Sequence, residues 1–254
     1  VHIVTGAVSA VQNIIKCVRR CGLEVQDLIL QPLASSSAVL TADEKELGVA
    51  LVDIGGGTTD IAVFVGGSIR HSAVLAVAGD QITNDIAMAL RTPTADAEDI
   101  KLRHGLAKQV LANPSDKIKV PGIGDRGPRS LSKQALAAVI EPRVEELFSM
   151  VQQTIRESGY EEALSSGIVI TGGSSLLPGM AELAEDIFLK PVRVGAPDYN
   201  GGLTDVVRTP RFATAMGLLE EARQIRLRGR KVAEQSGSFK DTMRRMKEWF
   251  LGNF

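Results

Sequence analysis

Short apolar runs bounded by Gly and Pro alternate along the chain with stretches whose apolar residues recur every three to four positions. The two periods predict strands and helices in turn. A strand is predicted at Val1–Thr5. The helix after it, "AVQNIIKCVRRCG", carries Val11, Ile14, Ile15 and Val18 on one face and stops at Gly22. "EVQDLILQ" reads as a strand and "PLASSSAVLT" as a short helix opened by Pro32. Three strands follow at 48–54, 60–65 and 69–77, and Gly66-Gly67 joins the last two as a hairpin. Helices are predicted at 79–90 and 96–106, and a short strand "KIKV" inside the Pro/Gly-rich stretch 113–128. From Ser132 to Glu157 the helical period is sustained. Pro142 within it either kinks one helix or opens a second. "GIVIT" is a buried strand, "MAELAEDIF" a helix, "PVRVGAP" an edge strand and "PRFATAMGLLEEARQIRL" a long helix. Strands and helices alternating around antiparallel neighbours predict an α/β fold with a mixed sheet.

Composition narrows the class. The 254 residues are 44% hydrophobic and 23% charged, with net charge −1, which suits one large or two smaller domains and gives nucleic acid no basic surface overall. No apolar run approaches the ~20 residues of a membrane span. Cys17 and Cys21 lie four apart on one helix with no second pair at zinc spacing, so they read as packing thiols. His2, His71 and His104 are scattered. A sequence that opens on Val1, inside a strand, reads as the C-terminal part of a longer protein.

One strand pair is interrupted by unusual residues. "LVDIGGGTTDIAVF" places Gly55, Gly56 and Gly57 between two strands, flanked by Asp53 and Asp60. Glycine removes the Cβ, so successive amides can turn toward one phosphate. Thr58 and Thr59 add hydroxyls. Asp53 would repel a bare phosphate, so a hydrated Mg²⁺ is expected between them. The plain alternative is a tight hairpin with acids at its ends. No Gly-Lys-Ser/Thr follows, as a Walker A loop would need, and a strand follows where the dinucleotide fingerprint needs a helix. A second bend, "GIVITGGSSLLPGM", sets Gly172, Gly173 and Ser174 between a buried strand and a helix, where bare backbone again favours a phosphate ligand.

The last sixteen residues differ from the rest. On a helical wheel Phe239, Met243, Met246, Phe250 and Phe254 fall within about 80° of one another, with Trp249 at the edge. Four basic and two acidic residues fill the other side. Four of the chain's ten aromatic residues are here, behind the polar stretch "RKVAEQSGS". Such a segment fits the plane of an anionic membrane. The alternative is a helix docked on its own domain or on a partner.

The two glycine bends, in this order, resemble those of the actin, sugar kinase and chaperone ATPase superfamily. "DIGGGTTD" is similar to its second phosphate loop and "VITGGSSLLPG" to its adenosine loop. "VAGDQITNDIA" resembles the connecting helix, which places Gly79, Asp80 and Asn84 near the nucleotide. "AEDIK" resembles a segment bordering the adenosine through Glu98 and Lys101. With the amphipathic tail, and with "LASSSAVLTADEKELGVALVDIGGGTTDIAVF", "GPRSLSKQALAAVIEPR" and "VGAPDYNGGLTD", the chain resembles the FtsA family of bacterial cell-division proteins over nearly its whole length. The resemblance implies an actin-like, ribonuclease H-like mixed sheet flanked by helices, within an incomplete two-lobe fold. It implies a small inserted domain ending near residue 30, a second lobe over 31–194, a return segment over 195–228, a linker over 229–238 and a membrane-targeting helix over 239–254.

It further implies ATP and Mg²⁺ as ligands and hydrolysis that is slow at most. The implied role is an adaptor that polymerises and ties filaments of FtsZ to the cytoplasmic face of the inner membrane at the division site. The FtsZ C-terminal peptide would meet a surface with Arg129, Lys133, Arg143 and Glu146. Two other classes remain open at this point: a soluble ATPase or kinase of the superfamily, and an actin-like pilus or cell-shape scaffold.

Overall fold

The computed structural model describes residues 2–124 and 127–227. Five strands form one mixed sheet in the order β3-β2-β1-β6-β7, with β1 Val49–Ile54, β2 Thr59–Val65, β3 Ser68–Leu75, β6 Ile168–Thr171 and β7 Val192–Val194. β1–β2 and β2–β3 are antiparallel, and β1–β6 and β6–β7 are parallel. Gly66 and Gly67, both at positive φ, turn β2 into β3.

Strand alternation divides the core between the two faces of this sheet. Ala50, Val52, Ile54, Ile61, Val63, Ile168 and Ile170 face one way. They pack against α4 Gly79–Leu90, α5 Thr94–His104, α6 Lys133–Glu157 and α7 Met180–Phe188. Val49, Leu51, Ala62, Phe64 and Val169 face the other way, toward Val39 and Leu40 around α2 Gln31–Val39 and toward Ala213. β1 is buried along its whole length, which explains its unbroken apolar run.

Helix α6 is continuous over 25 residues with Pro142 inside it. Pro142 and Ala138, whose carbonyl loses its i+4 donor there, are both exposed, so water can satisfy the carbonyl. The "KIKV" strand, β4 Lys117–Val120, finds an antiparallel partner in β5 Arg129–Ser132.

Four local readings need correction. Residues 2–5 and 23–30 form no strand, because the five-stranded sheet leaves them no neighbour to pair with. Cys17 and Cys21 are exposed, not packed, since α1 Val8–Arg20 buries none of its residues. A helix absent from the sequence reading, α3 Ala42–Leu47, is closed by a capping box between Thr41 and Glu44. The short helix α8 Thr204–Val207 was also missed. The long helix, α9, spans 213–227. The apolar-basic segment Phe239–Phe254, including Met243, Met246, Trp249 and Phe250, lies outside the described residues. Among the described residues no helix is long and apolar enough to cross a membrane.

Candidate functional site

Parallel pairing of β1 with β6 sets Asp53 beside Thr171. The bends that follow these two residues therefore leave the same end of the sheet. They touch: Ser174 Oγ donates to the Gly55 carbonyl at 2.7 Å. The first turn of α4 completes the joint, with Gly79 N–H donating to Gly55 O (3.1 Å) and Asp80 N–H to Gly56 O (2.8 Å). The N-terminal amides of α4 are thus spent on the glycine loop. A trans peptide holds its N–H opposite its C=O. With the carbonyls of Gly55 and Gly56 drawn to α4, the amides of Gly56 and Gly57 turn the other way. Among the described residues no acceptor meets them, nor the amides of Gly173 and Ser174.

The second bend requires glycine at one position. Gly172 has φ +87°, and a Cβ there would lie 2.4 Å from Ile54 O and 2.5 Å from Asp53 Oδ1. Gly173 has open space around it.

A cleft of about 550 Å³ opens at this junction, lined by Gly55, Gly56, Asp80, Glu98, Lys101, Gly173 and Ser174 from the predicted set. That size suits a small organic ligand. Sequence reasoning missed the rest of the wall: Ile82, Leu102, Leu176, Leu177, Pro178 and Arg211. One side is therefore polar and glycine-rich, and the other apolar, with a guanidinium.

Lys101 is 9% exposed and fully engaged. Its Nζ donates to Gly79 O (3.0 Å) and Thr83 Oγ1 (2.8 Å), and pairs with Glu98 Oε2 at 2.7 Å. Thr83 Oγ1 also bonds Glu98. Burial pushes the Glu98 carboxyl up, but the hydrogen bonds and charge of Lys101 and the Thr83 hydroxyl outweigh it and hold it below the usual range. This cluster fixes α5 against the start of α4.

Asp53 and Asp60 are 3% and 6% exposed and face each other across β1–β2, with no Lys or Arg paired to either among the described residues. Burial, helped by the charge of Asp53, raises the Asp60 carboxyl despite the hydrogen bond from Thr58. Two uncompensated buried acids suit a divalent cation.

Other predicted residues fall elsewhere. Thr59 is fully buried, with its hydroxyl given to Val77 O (2.7 Å), so it offers a ligand no donor. Thr58 Oγ1 donates to Asp60 (3.3 Å). Asn84 is outside the lining, exposed, with Nδ2 on Met88 Sδ (3.6 Å). Arg129 bonds Leu90 O and Lys133 pairs with Asp116 at 3.3 Å. Arg143 holds Asp85 (2.5 and 3.1 Å) and Glu146. The three cations expected to meet an acidic peptide each have a partner within the chain.

The family profile described as cell division protein FtsA matches residues 50–217. The chain belongs to the FtsA family. It is 57% identical to cell division protein FtsA of Pseudomonas aeruginosa over 260 residues, covering 100% of this chain and 62% of that protein. Identity to FtsA of Escherichia coli K12 is 44% over 263 residues, covering 100% of this chain and 63% of that protein. The chain thus spans about three fifths of the length of these FtsA relatives.

Solved structures show the actin-like fold. MreB5 of Spiroplasma citri bound to ADP superposes with a TM-score of 0.68 at 21% identity, over 85% of this chain and 65% of that one. The MamK double helical filament superposes with a TM-score of 0.62 at 16% identity, over 85% and 66%. The chain is thus a member of the FtsA family with an actin-like fold.

Proposed function

We propose that the chain holds ATP at the junction of its two glycine bends and serves as part of a membrane adaptor for FtsZ. The observation that carries the reading is the Ser174–Gly55 hydrogen bond, which brings the unpaired main-chain amides of Gly56, Gly173 and Ser174 to the wall of one cleft. Phosphates would take the amides of Gly56, Gly57, Gly173 and Ser174. The apolar wall of Leu102, Leu176, Leu177 and Pro178 would take the base. Mg²⁺ would be held by Asp53 through water, with Asp60 behind it, and when bound it supplies the positive charge that lets phosphate approach these acids.

Family membership supports the rest. The chain would polymerise with copies of itself, engage the acidic C-terminal peptide of FtsZ near Arg129, Lys133, Arg143 and Glu146, and bind the cytoplasmic face of the inner membrane at the division site. Residues 239–254 would lie in the anionic surface. One tail binds weakly, so a filament presenting many tails gains by avidity.

Co-sedimentation with anionic vesicles tests this. In the presence of Mg²⁺ and ATP the full chain is expected to carry FtsZ into the vesicle pellet. A chain ending at Gly237 is expected to leave FtsZ in the supernatant. Equal pelleting by both, or FtsZ left behind by a vesicle-bound full chain, would overturn the adaptor reading.

A further inference from the structure

Asp53 is oriented by hydroxyls from two helices that lie outside the cleft wall. Ser35, on α2, donates to Asp53 Oδ2 at 2.6 Å. Thr214, on α9, lies 3.4 Å from the same oxygen and 2.9 Å from Ser35 Oγ. If Thr214 donates to Ser35, which in turn donates to Asp53, each bond polarises the next. Ser35 is fully buried and Asp53 nearly so, so the bond between them is shielded from water, while Thr214 is half-buried. The other carboxylate oxygen, Oδ1, takes no hydrogen bond among the described residues and lies against Gly172 at the floor of the second bend.

The helix pair that supplies these hydroxyls is tightly registered. Gly217 of α9 packs so closely on α2 that a Cβ would sit 1.7 Å from Ala34 O. One turn further on, Ser37 Oγ donates to Glu221 Oε1 at 2.5 Å. Ser35–Thr214, Ala34–Gly217 and Ser37–Glu221 are thus three successive contacts along one crossing. They set where Thr214 stands relative to Asp53.

We propose that Ser35 and Thr214 are positioning residues for the cation site: by occupying Oδ2 they leave Oδ1 as the oxygen presented to a hydrated divalent cation. The proposal rests on the Mg²⁺·ATP reading above. Without the two hydroxyls the carboxylate is free to rotate, and the charge it offers the cation is no longer fixed in direction.

Calorimetric titration of the full chain with ATP, once with excess Mg²⁺ and once with EDTA, separates positioning from general damage. In the parent protein Mg²⁺ is expected to strengthen binding. In Thr214→Val, which keeps the shape of the side chain, and in Ser35→Ala, that gain is expected to shrink about tenfold, on the scale of a hydrogen bond to a charged group. Affinity in EDTA should stay near the parent value in both, and the melting temperature should stay near it in Thr214→Val, while Ser35→Ala, which takes the short donor from a buried carboxylate, should melt lower. Thr214→Ser, which keeps the hydroxyl, should recover the gain. The inference is overturned if Thr214→Val and Ser35→Ala keep the parent's Mg²⁺ gain, or lose affinity equally with and without the metal. A parent protein that binds no ATP under either condition overturns the nucleotide reading itself, and this inference with it.

Discussion

Ser174 Oγ sits 2.7 Å from the carbonyl of Gly55, a residue 119 positions away in sequence. That contact turns two separately unremarkable bends into one site. Each bend alone is a strand end followed by glycine. Joined, they present unpaired amides from two directions to the same cleft, which is what a polyanion needs and a simple turn does not.

The two glycines of the second bend should behave oppositely. Gly172→Ala forces a side chain into φ +87° and against Ile54 O, and is expected to destabilise the fold by about 2–4 kcal/mol. Gly173→Val meets open space and should leave the melting temperature nearly unchanged. Thermal melts of both variants without nucleotide check this.

Asp60 supplies a pH prediction. Its carboxyl is raised by burial and by Asp53, so folding favours the protonated form. The charged form therefore penalises the fold at pH above the raised folded value, and the penalty disappears below the ordinary 3.8. Asp60→Asn should raise the melting temperature near neutral pH in metal-free protein. That advantage should fade as the pH falls through the same window. Melts across pH in EDTA would reveal it, and a variant less stable at neutral pH would contradict it.

Lys101→Met should destabilise the protein by about 2–4 kcal/mol, because it leaves Gly79 O, Thr83 and Glu98 without their shared donor. Glu98 acts in the opposite sense to Asp60. Its lowered folded value means its contribution is complete above the ordinary 4.5 and lost as pH falls through the folded value. Denaturant titrations of Lys101→Met and the parent should differ most at neutral pH and converge toward the acid end.

Much of this architecture was legible before any coordinates. α4 and α7 begin at a glycine and run as far as their apolar period does, ending at the caps Arg91 and Leu189, because local signals decide those boundaries. Gly55 and Gly56 of the cleft wall were legible by residue type alone. Adjacency of the two bends was not, since it comes from the parallel pairing of β1 with β6. Arg211, Ser35 and Thr214 are ordinary residues whose roles arise only from packing. α3 did have a signal, the Thr41-x-x-Glu44 capping box, that passed unread. The Asp85 partner of Arg143 was not legible, since it lies 58 positions away.

That pairing alters what mutation of the proposed FtsZ-binding surface should do. An acidic peptide would have to compete with Asp85 and Glu146 for Arg143. Asp85→Asn should release the guanidinium and tighten binding of the FtsZ C-terminal peptide roughly threefold, while Arg143→Ala weakens it. Fluorescence anisotropy with a labelled peptide would measure both, and weaker binding by Asp85→Asn would argue against Arg143 as the contact.

The most direct test of the central claim is equilibrium binding of a fluorescent ATP analogue to the full chain and to Gly173→Val in the presence of Mg²⁺. The account predicts saturable binding by the parent, and at least about tenfold weaker binding by a variant that melts at the same temperature, since a valine there covers the amides that would hold the phosphates. Undiminished binding by Gly173→Val, or no binding by a folded parent chain, would contradict it.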